Sequence, residues 1–313
     1  MSRLRRALAG LASVAAFTLL AALPARAVDV RFEKVVEGVY AFIGETGPRT
    51  ESNEGLNANL GLVLTPEGAV LIDSGATFQG ARQVHEAIRR VTPLPVRWVV
   101  NTGGQDHRWL GNGYFLGQGA EVLAHAAGQA DMANRGGEQL AALRQVMGAK
   151  ADGTVPTFPS RWLQGPDASL ALGGARFEFK HRGGAHTPGD LLVWLPQQRV
   201  LFTGDVVYVE RMLGVLPVSN TRAWMASFEE VERLAPLRIV PGHGRVTDLA
   251  QARADTRDYL AALRAHMKRA VDEGLDIGTA IKGFDTQPHQ RLANSAELLP
   301  GNASRVYLEM ERE

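Results

Sequence analysis

The sequence predicts a single α/β domain of two β-sheets covered by outer helices. Three observations predict it. Of 313 residues, 45% are hydrophobic and 21% charged, ordinary usage for a globular chain. Strand-like runs followed by helical patterns recur in both halves, which calls for sheets with helices packed on them. No stretch rich in Pro, Gly or Ser divides the chain beyond residue 28, so residues 28–313 read as one domain.

The elements follow in order. Residues 35–43 (VVEGVYAFI) and 60–64 (LGLVL) read as strands, and the turn Pro66-Glu67-Gly68 leads into Ala69-Val70-Leu71-Ile72 and Asp73. Residues 78–91 form an amphipathic helix with Val84, Ala87, Ile88 and Val91 on one stripe. A short strand at 96–100 ends in the Gly-rich loop 101–104, and a strand at 122–123 precedes a mostly helical run over 126–147. In the second half, strands are expected at 170–171, 176–180, 191–195, 200–203 and 238–240. Helices are expected over 222–234 and 249–273, the latter with Leu260, Leu263, Met267 and Val271 facing the core.

Composition narrows the function. The chain has no Cys, which removes a disulfide scaffold, a thiolate-ligated metal and a cysteine nucleophile. A formal net charge of +1 gives no electrostatic reason for a nucleic-acid partner. No Gly-x-Ser-x-Gly elbow, P-loop or Gly-x-Gly-x-x-Gly fingerprint is present.

Residues 1–27 read as a secretory signal peptide. Arg3, Arg5 and Arg6 supply the positive start, residues 7–23 the apolar stretch, Pro24 the break and Ala25-Arg26-Ala27 the small-x-small cleavage pattern. An uncleaved anchor is the competing reading, since the apolar stretch is just short of the ~20 residues a bilayer requires. Cleavage removes four arginines and no acid, so the mature chain turns mildly acidic. The expected destination is the periplasm, with no membrane association after cleavage.

Three loops carry possible metal ligands just after strands: Ala185-His186-Thr187-Pro188-Gly189-Asp190, Phe202-Thr203-Gly204-Asp205 and Pro241-Gly242-His243-Gly244. A sheet fixes the backbone while the loop aims the side chain, and Gly and Pro permit the tight turns. Imidazole together with carboxylate suits zinc, with iron an alternative.

In this order and strand context, the three loops resemble those of the metallo-β-lactamase superfamily, and Asp73 matches that family's early supporting aspartate. The likeness covers residues 35–270. It implies a four-layer αββα sandwich with metals held at one edge of the two sheets, commonly two zinc ions with a bridging hydroxide attacking an ester, thioester, amide or phosphodiester. The family's lactamases often carry Cys where this chain has Asp205, so the likeness favours general hydrolase branches over drug hydrolysis. Within the family the chain is most similar to periplasmic hydrolases associated with quinoprotein relay systems or sulfur oxidation.

One departure decides the ligand count. The family's loop reads Thr-His-x-His-x-Asp-His, whereas this chain reads Thr102-Gly103-Gly104-Gln105-Asp106-His107-Arg108, with Gly111-Asn112 matching beyond. In the ungapped register Gly103 and Gln105 replace the first two histidines, His107 replaces the aspartate and Arg108 the last histidine. Sliding by one residue would align Asp106-His107, at the cost of a deletion and an insertion. The degenerate motif leaves the first zinc site only His186. The second keeps His107, Asp205 and His243, and a guanidinium cannot ligate.

The expectation is one metal ion on His107, Asp205 and His243, with His186 as a fourth ligand or facing the open position. A metal-bound hydroxide, its pKa near 7, would attack an ester- or thioester-like bond, with Asp205 and His107 catalytic. Beside a dication Arg108 would cost on the order of several kcal/mol unless a carboxylate intervenes, and Asp106 is the nearest candidate. Arg108 would bind an anionic substrate group or developing oxyanion, and Asp73 would orient loops or a ligand histidine. The alternative is a catalytically inactive protein that binds a small anionic molecule in the former active site, with Arg108 as anchor. His125 and His181 read as satisfied strand-end histidines. Arg211 and Met212 stand near the cleft without an assignable role.

Overall fold

A computed structural model describes residues 29–313. The leader expected over residues 1–27 lies outside the described residues. Within them, no helix is long and apolar enough to cross a membrane.

The first sheet holds β1 (Glu33–Val36), β2 (Val39–Phe42), β3 (Leu60–Thr65), β4 (Gly68–Ile72), β5 (Val96–Val100), β6 (Glu121–His125) and β7 (Arg161–Leu163), side by side in that order. The second holds β8 (Asp167–Leu172), β9 (Ala175–Lys180), β10 (Leu192–Leu195), β11 (Val200–Phe202) and β12 (Arg238–Val240), again as neighbours in chain order. Helices α1 (Phe78–Val91), α2 (Asp106–Trp109), α3 (Asn112–Gly117) and α4 (Gln129–Met147) interleave with the first sheet. After β11 come α5 (Thr221–Leu234), α6 (Leu249–Ala252), α7 (Asp258–Asp272), α8 (Ile277–Gly283) and α9 (Ser295–Met310).

The two sheets pack face to face. Val63, Val70 and Val100 from the first meet Phe177, Val193 and Phe202 from the second in one buried apolar layer. Gly61 is needed here, because a Cβ at that position would lie 2.3 Å from the Phe202 ring. On the outer face of the first sheet Leu62, Leu71 and Val99 pack on Val84 and Ile88 of α1. Outside the second, Leu201 and Ile239 pack on Trp224 and Phe228 of α5 and on Leu260 and Leu263 of α7. This is the expected αββα sandwich.

Three elements depart from the sequence expectation. The strand read over 35–43 is a hairpin of β1 and β2, turned by Gly38 at φ +71°. The helix read over 249–273 is α6 and α7 joined by a π-turn at Arg253–Arg257. Beyond 290, where the sequence assigns no element, α9 buries Leu299, Ala303, Val306 and Met310 against the α5–α7 layer.

Strand direction places the chemistry. β4, β5 and β6 run parallel, as do β11 and β12. The loops after β4, β5, β11 and β12, which carry Asp73, residues 101–108, Asp205 and His243, converge at one edge of the sandwich. Asn59 ties the sheets together there, donating from Nδ2 to Pro241 O at 2.9 Å and Gly244 O at 2.7 Å.

Candidate metal centre

His107 and Arg108 sit on α2, a single turn directly after the β5 loop. Asp205 sits on a 3-10 turn, Gly204–Val206, directly after β11. Gly204 takes φ +49° with Thr102 packed against it, and Gly242 leaves room for the Arg108 guanidinium, 2.6 Å from where a Cβ would stand. The ligand atoms of His107, Asp205 and His243 all lie within 4.8 Å of one another, and all three residues are buried. His107 Nε2 is 3.0 Å from Asp205 Oδ2, and His243 Nε2 is 3.3 Å from Asp205 Oδ1.

The other nitrogen of each ring is also engaged. His243 Nδ1 lies 2.9 Å from Asn57 O, a carbonyl it can donate to, and His107 Nδ1 faces Asp106 Oδ1 at 3.3 Å. An imidazole that donates from Nδ1 presents a lone pair at Nε2, the usual arrangement of a metal-binding histidine. Tyr208 stacks on His243 with centroids 4.8 Å apart and planes 20° apart.

Arg108 is 1% exposed. Its Nε and Nη2 donate to Asp205 Oδ2 at 3.2 Å and Oδ1 at 2.7 Å. Nη1 donates to Asn59 O at 3.0 Å and Asp73 Oδ2 at 2.9 Å, and Nη2 also to Gly242 O at 3.0 Å. These five contacts use all the N–H groups a guanidinium has. Arg108 therefore has no donor left for a substrate anion, which corrects the expected anchoring role. The carboxylates that intervene beside it are Asp73 and Asp205. Asp106, expected in that place, instead pairs with Arg49 and accepts from His107 N at 2.8 Å.

Electrostatics follows from these contacts. Burial alone would push the Asp205 carboxyl up, but Arg108 and then His107 hold it well below the usual carboxylate range. Burial also opposes ionisation of Asp106, where Arg49 outweighs it and drives the pKa down. For Asp73 burial wins over Arg108 and Thr102 and raises the pKa. Burial holds the His243 imidazole well below its ordinary value and that of His186 at about 4, so both rings are neutral at neutral pH. Burial and then Asp205 push the Tyr208 phenol well above 10, so it keeps its proton.

His186, expected as a fourth ligand, is not in the three-residue group. Its Nδ1 lies 2.7 Å from Gly214 O, and its ring meets Trp224 edge-on with centroids 5.7 Å apart. Gly103 has no room for a ligand side chain, because a Cβ there would lie 2.5 Å from Asp190 Oδ1. Asp73 accepts from Thr102 N and Oγ1, both at 2.7 Å, which fixes the start of the β5 loop. Arg49, Asn57, Asn59 and Tyr208 are parts of the site that sequence reasoning missed. Tyr208 alone carried a signal, three residues beyond Asp205.

A cleft of ≈ 330 Å³ is lined by Arg49, Gln105, Asp106 and Pro217, beside His107 in the chain but without any of the three ligand side chains. A larger one, ≈ 650 Å³, is lined by Val35, Arg238 and Val246 and includes none of the ligand side chains.

The donor set fits a metal ion. His107 Nε2 and His243 Nε2 face one carboxylate, Asp205, which Arg108 keeps ionised. A second ion finds no such set among the described residues.

The comparisons with known proteins give the family. Residues 53–243 match the family model of the metallo-beta-lactamase superfamily. The chain belongs to that superfamily. It is similar to 2,4-dinitroanisole O-demethylase subunit alpha of Nocardioides sp. (strain JS1661), 24% identical over 56% of this chain and 49% of that one. It is also similar to acyl-coenzyme A thioesterase MBLAC2 of Gallus gallus, 35% identical over 28% of this chain and 32% of that one. The chain thus spans half or less of these two relatives. Among solved structures, the inverting sec-alkylsulfatase Pisa1 from Pseudomonas sp. superposes with a TM-score of 0.67 at 19% identity, over 90% of this chain and 50% of that one, a likeness of fold. The superfamily is one of hydrolases that typically bind zinc, and the fold and the His/Asp triad of this chain agree with membership.

Proposed function

We propose that the protein hydrolyses ester- or thioester-like bonds of small molecules with one metal ion, zinc by its donor set, held by His107, Asp205 and His243. The observation that carries the proposal is the convergence of two Nε2 atoms and one ionised carboxylate within 4.8 Å. A thioesterase among the relatives supports the substrate class. The leader-like first residues support a periplasmic location, and with it the branch of exported hydrolases linked to quinoprotein relay systems or sulfur oxidation.

Bound there, zinc supplies Lewis acidity and acidifies a coordinated water to a pKa near 7. The protein's own groups prepare the site. Asn57 O holds the His243 ring and Asp106 the His107 ring through Nδ1, so both Nε2 atoms face Asp205. Arg108 keeps Asp205 ionised and fixes both its oxygens. The Tyr208 hydroxyl keeps its proton and can donate a hydrogen bond inside the buried site.

A second reading rests on a specific contact. Asp205 is already paired with Arg108, so the cluster closes without an ion, as it would in an inactive protein that binds an anionic ligand. Hydrolysis of a panel of small thioesters, carboxylic esters and phosphodiesters separates the two, using wild type, chelator-treated protein and His243→Ala. Activity that vanishes with chelation and in the variant supports the enzyme. Inactivity on the panel in zinc-loaded wild type supports the second reading.

A further inference from the structure

We infer that Thr256 is a positioning residue of the metal centre: it seats Tyr208 against the His243 ring and so sets how firmly the centre holds its ion. The inference rests on the metal reading proposed above. It adds to that reading a residue from beyond position 243, where the match to the family model ends.

After Asp205 the chain runs on as a buried strap, residues 207–209, whose backbone groups point alternately to two sides as in a strand. One side faces the His243 loop. Gly242 N donates to Val207 O at 2.9 Å and Val209 N to His243 O at 3.0 Å, so Tyr208 and His243 form a parallel bridge. Gly244 is needed for this approach, because a Cβ there would lie 2.1 Å from Val209 O.

The other side of the strap meets the π-turn over Arg253–Arg257. Thr256 Oγ1 accepts from Tyr208 N at 2.9 Å and donates to Tyr208 O at 2.6 Å. One hydroxyl thus satisfies both backbone groups of Tyr208, as a neighbouring strand otherwise would. Next to it Asp255 Oδ2 accepts from Glu210 N at 2.9 Å and from Gln251 Nε2 at 2.6 Å, and Asp255 also pairs with Arg291. Asp255 and Thr256 are fully buried, so water does not replace these bonds. A π-turn is rare, and such turns gather at functional sites.

What the strap positions is a ring. The contact of His243 Nδ1 with Asn57 O fixes one direction of the imidazole but leaves it free to pivot about that contact. The Tyr208 face, stacked 4.8 Å away with planes 20° apart, sets the plane, and His107 meets the ring edge-on at 5.3 Å. With direction and plane both fixed, Nε2 stays aimed at Asp205 Oδ1, 3.3 Å away. A ligand held beforehand in its binding orientation loses less freedom when the ion arrives, so affinity rises. Thr256 donates to and accepts from the Tyr208 backbone, and it acts on the centre through that residue.

Zinc affinity of the full protein, measured by competition with a chromophoric chelator, tests the inference. Thr256→Val and Thr256→Ala remove the hydroxyl, and at least one of the two is expected to fold. Thr256→Ser keeps the hydroxyl, and Tyr208→Leu removes the aromatic face while leaving the strap bonded to Thr256. The expected dissociation constant is about ten- to a hundredfold higher than wild type in the hydroxyl-free variants and in Tyr208→Leu, and near wild type in Thr256→Ser. Proton NMR of zinc-free protein gives a second readout. The carbon-bound ring protons of His243, identified by their absence in His243→Ala, should show an upfield ring-current shift in wild type and Thr256→Ser that is lost in the other variants. A merely structural threonine would lower the melting temperature of its hydroxyl-free variants and leave zinc affinity and ring shift at wild-type values. That result overturns the inference, as does wild-type zinc affinity in Tyr208→Leu. Absence of zinc uptake by wild type would instead refute the metal reading, and the ring shift of zinc-free protein would then decide by itself whether Thr256 seats Tyr208 on His243.

Discussion

The Arg108 guanidinium lies flat against the Asp205 carboxylate, with Nη2 to Oδ1 at 2.7 Å and Nε to Oδ2 at 3.2 Å. The contact joins α2, after β5 of the first sheet, to the turn after β11 in the second, so it binds the two halves of the sandwich at the site. In the register read from the sequence it puts a permanent cation where the resemblance implies a metal-binding histidine, and the proposal of a single ion rests on that.

Arg108 should be indispensable for stability and not replaceable by lysine. Arg108→Met leaves Asp73 and Asp205 buried without their counterion, and removal of one partner of a buried pair costs about 3–5 kcal/mol. Arg108→Lys loses the forked geometry and several of the five bonds. Urea unfolding of both variants should show lower midpoints than wild type, with the methionine variant lowest. A midpoint equal to wild type in either contradicts the role.

His107→Ala should lower zinc content and remove the thermal stabilisation that zinc confers, because ligand binding to the native state adds to folding stability. The melting temperature of chelator-treated protein should change much less. An equal drop with and without zinc would make His107 a packing residue only.

Gly61→Ala tests the packing of the sheets apart from the site. Its Cβ would press on the buried Phe202 ring, and overpacking of this kind costs about 1–3 kcal/mol. Denaturant unfolding should report that loss while zinc stoichiometry stays unchanged.

Acid should weaken the fold through the stacked histidines His125 and His181, whose centroids are 3.9 Å apart. Burial lowers both pKa values below the ordinary 6.5, so each is held neutral in the folded chain. Their stabilising contribution is complete above pH 6.5 and is lost as pH falls through the lower folded values, because the unfolded chain takes up protons first. Unfolding free energy measured from pH 8 to 5 should fall below pH 6.5, by at most ~1.4 kcal/mol per pH unit for each histidine. His181→Gln should flatten the slope.

Much of the site was legible in the sequence because its ligands follow apolar strands directly. Asp73, Asp205 and His243 each stand one to three residues past the end of β4, β11 or β12, and the glycines beside them mark turns. His107 emerged from aligning the flanks of the β5 loop. The partners did not emerge, because they are fixed by tertiary contacts that no local pattern encodes. Arg108 meets Asp205 across 97 residues, and Arg49, in a loop without periodicity, meets Asp106. Local composition also hid α9, where Pro300 and Asn302 interrupt an apolar stripe that is nonetheless buried.

The most direct test of the account is the zinc-to-protein ratio of the purified protein after zinc loading and removal of free metal, measured by elemental analysis for wild type and His243→Ala. The account predicts a ratio near one for wild type and a clear loss in the variant. A ratio near two, or near zero, for wild type would contradict it.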